Sequence, residues 1–389
     1  MKKNIKNKLD DLKASNNYRV RRAKDSGNSH IFRFKGNDYL SFASNDYLSL
    51  ANDVRIVESA KKALDIHGYS VSSSALISGY SRSHMLLEEE LSNFLGQEKT
   101  LLYSTGYQAN LGVIKSLVSR GSFIFADQLN HASLIDGSIL SRANFKRYEH
   151  KNIKELDALL NKCPDSRDKL IISDSLFSMD GDLAELKELE QRLKKYEAKL
   201  LIDEAHSLGV FGYQGRGLVF EYLLNKNENI FLTGTFGKSL GTFGAFFSGN
   251  SDIVDYVMQK SRGYIYSTSL PIHTIEATRT SLKIIEEEDW RRDKLFSLIR
   301  YFKNCIKKSN ITVLESDSHI QALLIGSSAD AIFFSDELMK RGIYLPAIRP
   351  PTVEEGKSRL RISLTVDHEE KDIDYLINIL DMISQNLVQ

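Results

Sequence analysis

The sequence predicts an α/β protein with a mostly parallel central sheet, and three observations carry that expectation. Short apolar runs alternate with helical patterns through the middle of the chain, polar residues gather where those runs end, and the texture changes after about residue 285. The run 100–103 leads through Ser104, Thr105 and Gly106 into a helical stretch over 107–119. The run 123–126 is followed by a polar turn ending at His131 and another helical segment. Residues 170–172 lead toward Ser178, 200–202 end in Asp203, and 230–233 precede Lys238. Strand, polar turn and helix in repetition build a parallel sheet covered on both faces. Ligands of such sheets bind beyond the carboxyl ends of the strands, where these polar residues fall.

Beyond residue 285 the spacing predicts one long charged helix over 285–308, a strand over 319–325, a helix over 329–341, strands at 343–345 and 359–364, and a closing helix over 371–387. Ile373, Leu376, Ile377, Leu380 and Ile383 would share one face of that last helix. At the other end, Ile5, Leu9 and Leu12 recur at helical spacing. The expected organisation is an N-terminal arm (1–45), a large domain (46–284) and a smaller C-terminal α+β domain (285–389).

With 389 residues, 42% hydrophobic and 26% charged, the composition is that of a globular protein with a large core. A net charge of +1 makes no electrostatic case for nucleic acid or an anionic membrane surface. No apolar run approaches the roughly 18 residues of a membrane span. Cys163 and Cys305 form no disulfide framework, and the basic start lacks an apolar core segment, so the expectation is a cytoplasmic protein.

Lys238 lies among glycines in Thr233-Gly234-Thr235-Phe236-Gly237-Lys238. A phosphate-binding P-loop would need glycine where Leu232 stands. Asp203 closes an apolar strand, where a carboxylate is costly unless paired. A lysine that forms a Schiff base and a carboxylate that holds a pyridinium nitrogen are together the protein's half of pyridoxal phosphate chemistry. His206 is placed to reach the ring's phenolic oxygen, and Gly106 and Tyr107 sit at a strand-to-helix junction suited to phosphate. His131 and Ser178 also follow strands. Taken singly, each is as readily structural: a loop histidine, a turn serine, a capping aspartate. Arg361 lies in an alternating strand and needs an anion, either a substrate carboxylate or a structural partner. Zinc signatures (HExxH, paired CxxC) and a GxGxxG dinucleotide turn are missing, and no metal is expected.

Seven motifs in order then resemble the α-oxoamine synthases, fold-type I pyridoxal phosphate enzymes that join an amino acid to an acyl thioester with loss of carbon dioxide. They begin at Ser44, Ser104, Asn130, Phe177, Asp203, Thr235 and Tyr266, within a likeness from about residue 5 to 385. The resemblance implies that Lys238 carries pyridoxal 5′-phosphate, Asp203 holds its ring nitrogen, and His131 stacks on the ring and borders the substrate. Ser178 and His206 would contact the phenolic oxygen, with Gly106, Tyr107 and Thr235 about the phosphate. Ser267 and Thr268 would reach a neighbouring subunit's phosphate, which implies a homodimer with its active site at the interface. Arg361 would hold the amino-acid carboxylate, and Arg19 and Thr352 match positions that contact a pimeloyl substrate. The proline loop Ala347-Ile348-Arg349-Pro350-Pro351-Thr352 resembles the branch that uses L-alanine and a pimeloyl thioester on the way to biotin, on coenzyme A or acyl carrier protein. The alternatives are a glycine-using relative such as 2-amino-3-ketobutyrate ligase, or an inactive binding protein of the same fold. Leu76, in the segment 70–79, stands where relatives often carry a basic residue or histidine, which leaves the carrier open.

Overall fold

The computed structural model describes residues 2–309 and 311–387. The chain forms two compact units, one of Met1–Ser49, Ser178–Asp182 and Trp290–Gln389, the other of Leu50–Phe177 and Leu183–Asp289.

The second unit is built on a seven-stranded sheet. Its spatial order is Lys99–Tyr103, Ala245–Gly249, Ile230–Thr235, Ala198–Asp203, Lys169–Asp174, Phe123–Asp127 and Asn144–Tyr148. Ala245–Gly249 pairs antiparallel with both neighbours, and all other pairings are parallel. The central strands are apolar because both faces are covered: Ile124, Phe125, Ile171, Ile172, Leu200, Leu201, Ile230 and Phe231 are buried. Ala109, Val113 and Ile114 of the helix Gly106–Leu117 join Leu101, Leu134 and Phe247 in one core cluster. Burying a side chain of this size contributes roughly 1.5–3 kcal/mol. Leu186, Leu189 and Leu193 give the helix Leu186–Tyr196 one buried stripe, and Glu197 ends it in the left-handed region at φ 49°.

The first unit carries two three-stranded sheets. In one, Ile31–Phe34 and Asn37–Ser41 form a hairpin that Ile343–Tyr344 extends in parallel. Lys35 and Gly36 both take positive φ (52° and 77°), as a two-residue hairpin turn requires. In the other, Ser358–Ser363 lies between Ile320–Gly326 and Ala347–Ile348, antiparallel to both. The closing helix is Glu370–Leu387, and Ile373, Leu376, Ile377, Leu380 and Ile383 are buried along it, as their spacing requires. The N-terminal stretch is the helix Lys2–Ala14, with Ile5, Leu9 and Leu12 partly exposed.

One expectation needs correction. The stretch 285–308 is not one helix: it takes in the end of Ile272–Glu287 and the whole of Asp289–Ile306, parted at Glu288, whose backbone is non-helical at φ −112°, ψ 69°. Arg55 Nη1 donates to Glu288 Oε1 at 2.6 Å, and Asp289 gives the new helix an acidic first turn. Apolar spacing runs on through such a break, so periodicity alone does not reveal it. Among the described residues no helix is long and apolar enough to cross a membrane.

Candidate active site

In the second unit, four sequence-predicted groups meet at the carboxyl ends of the strands. Lys238 follows Ile230–Thr235 and Asp203 ends Ala198–Asp203. His206 lies in the turn after Asp203, and His131 is the N-cap of the helix Ala132–Ser141. Lys238 Nζ lies 2.8 Å from His206 Nε2. Burial holds the His131 imidazole below its ordinary pKa; the charge of Asp203 opposes that shift and the charge of Lys238 adds to it. His131 is therefore within electrostatic reach of both Asp203 and Lys238.

Asp203 is buried and satisfied on both oxygens. Ala205 N–H donates to Oδ1 at 2.9 Å, and Asn110 Nδ2 to Oδ2 at 2.7 Å. Asp174 sits beside it on the next parallel strand, in register. Burial, and then the neighbouring charge of Asp203, push the Asp174 carboxyl well above the usual carboxylate range. Its Oδ2 accepts the His131 N–H at 2.6 Å. Glu204, next to Asp203, serves the scaffold instead: buried, it accepts the N–H groups of Leu218 (3.1 Å) and Val219 (2.7 Å), tying down the start of the helix Leu218–Glu221.

Thr105 caps the helix Gly106–Leu117, its hydroxyl accepting the Gln108 N–H at 3.2 Å. Among the described residues, the N–H groups of Gly106 and Tyr107 have no hydrogen-bond partner. Free N–H groups at a helix N-terminus are what an anionic phosphate requires. Thr235 Oγ1 donates to Gly244 O (2.9 Å) and accepts the Gly237 N–H (3.3 Å), which shapes the turn carrying Lys238. Gly241 N–H closes that turn on Lys238 O at 2.9 Å. Gly241 has φ +64°, and an added Cβ would fall 2.4 Å from Ala51 N and 2.6 Å from Leu50 C. Gly241→Ala is expected to cost about 1–3 kcal/mol, the price of backbone strain of this kind, read as a lower midpoint in thermal unfolding.

Gly237-Lys238-Ser239-Leu240-Gly241 also fits the GxSxG pattern of serine nucleophiles. The surroundings of Ser239 are not those of a nucleophile elbow. No helix follows Ser239, as a nucleophile elbow requires, and its buried side chain packs at Gly209.

Ser267 and Thr268 line a cleft with Gln108, Tyr264, Tyr80 and Glu88. Gln108 Nε2 donates to Ser267 Oγ at 2.7 Å, and Thr268 pairs with Ser74 as a β-bridge. Burial pushes the Glu88 carboxyl up to about 7, against hydrogen bonds from Tyr80 and the Leu102 N–H. Leu76 lies on the π-helical turn Ala75–Gly79 and is exposed.

The first unit holds the arginines. Arg359 and Arg361 stand two apart on Ser358–Ser363 and so share a face. Arg359 is buried and paired with Asp180. Arg361 Nε donates to Ser178 O (2.5 Å), Nη1 to Asn45 Oδ1 (3.1 Å) and Nη2 to Tyr47 OH (3.2 Å). All three acceptors are neutral. Among the described residues no carboxylate pairs with Arg361, so its positive charge is oriented but uncompensated. Arg19 Nη2 donates to Thr352 Oγ1 at 3.1 Å and to Pro350 O at 3.3 Å, which brings both predicted acyl-substrate residues together.

Reading the sequence missed Asn110, Asn45 and Tyr47. An asparagine among Ala109, Leu111, Val113 and Ile114 was the available signal, since a buried amide needs partners. Asn45 and Tyr47 lay inside a recognised motif, but only the fold shows which side chain they serve.

Comparison with known proteins shows the family. The family profile described as aminotransferase class I and II matches residues 37–380. The 8-amino-7-oxononanoate synthase of Saccharophagus degradans is 41% identical over 97% of this chain and 95% of its own length. That of Methylococcus capsulatus is 43% identical over 96% of each. Serine palmitoyltransferase from S. paucimobilis, solved with bound PLP–myriocin aldimine, matches at TM-score 0.93 and 28% identity, covering 98% of this chain and 97% of that one. An 8-amino-7-oxononanoate synthase from Francisella tularensis matches at TM-score 0.79 and 27% identity, covering 90% and 99%. The fold is that of the fold-type I pyridoxal phosphate transferases. The chain belongs to the aminotransferase class I and II family, on the α-oxoamine synthase branch that its motifs resemble.

Proposed function

We propose that this chain is a pyridoxal phosphate-dependent acyltransferase that condenses L-alanine with a pimeloyl thioester, releasing carbon dioxide and the carrier thiol, in biotin biosynthesis. The observation that carries the reading is 41–43% identity to 8-amino-7-oxononanoate synthases over nearly the whole chain. The residues present fit the cofactor: Lys238 beside His206, a buried Asp203, and unpaired N–H groups at Gly106 and Tyr107. Bound there, pyridoxal phosphate supplies an electron sink for charge that develops at the amino acid's Cα.

The chain's residues divide the remaining work. Lys238 holds the cofactor and, once its Nζ is freed, takes the Cα proton of alanine and later returns one. Asp203 keeps the ring nitrogen protonated, and Ser178 and His206 serve the phenolic oxygen. Gly106, Tyr107 and Thr235 bind the phosphate, with Ser267 and Thr268 supplied to it by a neighbouring subunit. His131 covers the ring face and borders the substrate. Arg361 holds the alanine carboxylate until it leaves as carbon dioxide, and Arg19 and Thr352 line the path of the pimeloyl chain. The reading carries with it a cytoplasmic homodimer.

The test is purified protein with pyridoxal phosphate, L-alanine and pimeloyl-CoA or pimeloyl-acyl carrier protein, with product and carbon dioxide followed by mass spectrometry. The expected product is 8-amino-7-oxononanoate with at least one carrier. Product from glycine and acetyl-CoA instead would overturn the substrate assignment.

A further inference from the structure

Asp203, Asn110, Ser133 and His131 form one continuous hydrogen-bonded chain inside the second unit, and its protons can be counted. A carboxylate only accepts, so the amide nitrogen of Asn110 must face Asp203, at 2.7 Å. The amide oxygen then turns to Thr233, whose hydroxyl donates to it at 2.7 Å. The second amide hydrogen goes to Ser133 Oγ at 2.9 Å. Ser133 is fully buried, and its only other hydroxyl contact among the described residues is His131 Nδ1, at 2.7 Å. Having accepted from Asn110, the hydroxyl gives its hydrogen to the imidazole. The Ser133 backbone N–H approaches the same Nδ1 at 3.3 Å. Two donors converge on one ring nitrogen.

We infer that Asn110 and Ser133 are positioning residues that hold His131 as a neutral imidazole with Nδ1 an acceptor and its proton on Nε2. An Nδ1–H would face both donors and leave the buried Ser133 hydroxyl hydrogen without an acceptor. A doubly protonated ring meets the same conflict. The surroundings point the same way: burial disfavours the cation most, Lys238 adds to that, and Asp203 and Asp136 oppose it. The main chain is held as well, since His131 N–H donates to Asp174 Oδ2. His131 thus offers the site a hydrogen-bond donor at Nε2, and the role of base falls to Lys238. This last step rests on the proposed function; the tautomer itself does not.

The experiment uses the full chain labelled with ¹⁵N-histidine, with and without pyridoxal phosphate, and long-range ¹H–¹⁵N spectra of the imidazoles. His131 is identified by the signals lost in His131→Gln. Wild type should show a pyridine-like Nδ1 and a pyrrole-like Nε2, unchanged as pH crosses about 6.5, where a free imidazole titrates. Ser133→Ala, nearly isosteric, and Asn110→Leu should each collapse that difference toward a mixed tautomer. A proton on Nδ1 in wild type, or the same tautomer in both variants, overturns the inference. Because the cofactor-free chain is measured too, a protein that fails to bind pyridoxal phosphate would defeat the functional reading while leaving the tautomer result to stand.

Discussion

Lys238→Ala should lose turnover by at least roughly 10²–10⁴-fold, the share a positioned proton-transfer group contributes. The expectation rests on two duties meeting in one side chain. In the proposed function the amine that tethers the cofactor is also the group that moves the Cα proton, and the glycine-walled turn that presents it leaves its Nζ 2.8 Å from His206 Nε2. Activity alone does not separate loss of tether from loss of base. Borohydride treatment of the cofactor-loaded wild type should fix the cofactor to the peptide containing Lys238, found by mass spectrometry. The variant should bind it reversibly or not at all. Wild-type turnover in Lys238→Ala would sink the scheme.

Arg361→Ala should chiefly raise the KM for alanine. A hydrogen bond to a charged group is worth about 1.5–3 kcal/mol, which corresponds to roughly ten- to hundredfold in KM. The structure supplies the reason to expect a ligand rather than a structural ion pair. On the same strand face Arg359 is matched with Asp180, whereas Arg361 is held by one carbonyl, one amide and one phenol. Three neutral acceptors aim the guanidinium without neutralising it. Steady-state kinetics varying alanine at saturating thioester gives the KM, and a thermal unfolding midpoint checks that losing the contacts to Ser178, Asn45 and Tyr47 has not destabilised the fold. An unchanged alanine KM would remove Arg361 from the site.

Much of this was legible in the chain. Alternating apolar runs and helical patterns announced a parallel sheet because buried strands must be apolar and crossovers must be amphipathic. The position of polar residues at strand ends then pointed to a candidate site before any residue's role was considered. What the pattern could not carry were interactions between residues far apart in sequence. Glu288, at the helix break, is bonded by Arg55, and Arg361 is held by Asn45 and Tyr47.

The sequence by itself therefore determined the fold class and, through its motifs, the branch of the family; it also singled out Lys238 and Asp203 as candidates for one site. The fold class follows from periodicity, the candidates from a strand-ending carboxylate and a lysine among glycines, and the branch from the resemblance of the motifs. Tertiary structure alone decided the states of those groups. Asp203 accepts a hydrogen bond from Asn110, on a helix distant in sequence; His131 is a donor because Ser133 passes on a hydrogen that Asn110 leaves it free to give; Arg361 is held by neutral groups while Asp180 pairs with Arg359. Proton positions and charge balance are set by whichever partners folding brings within hydrogen-bond distance, and no linear spacing encodes that distance.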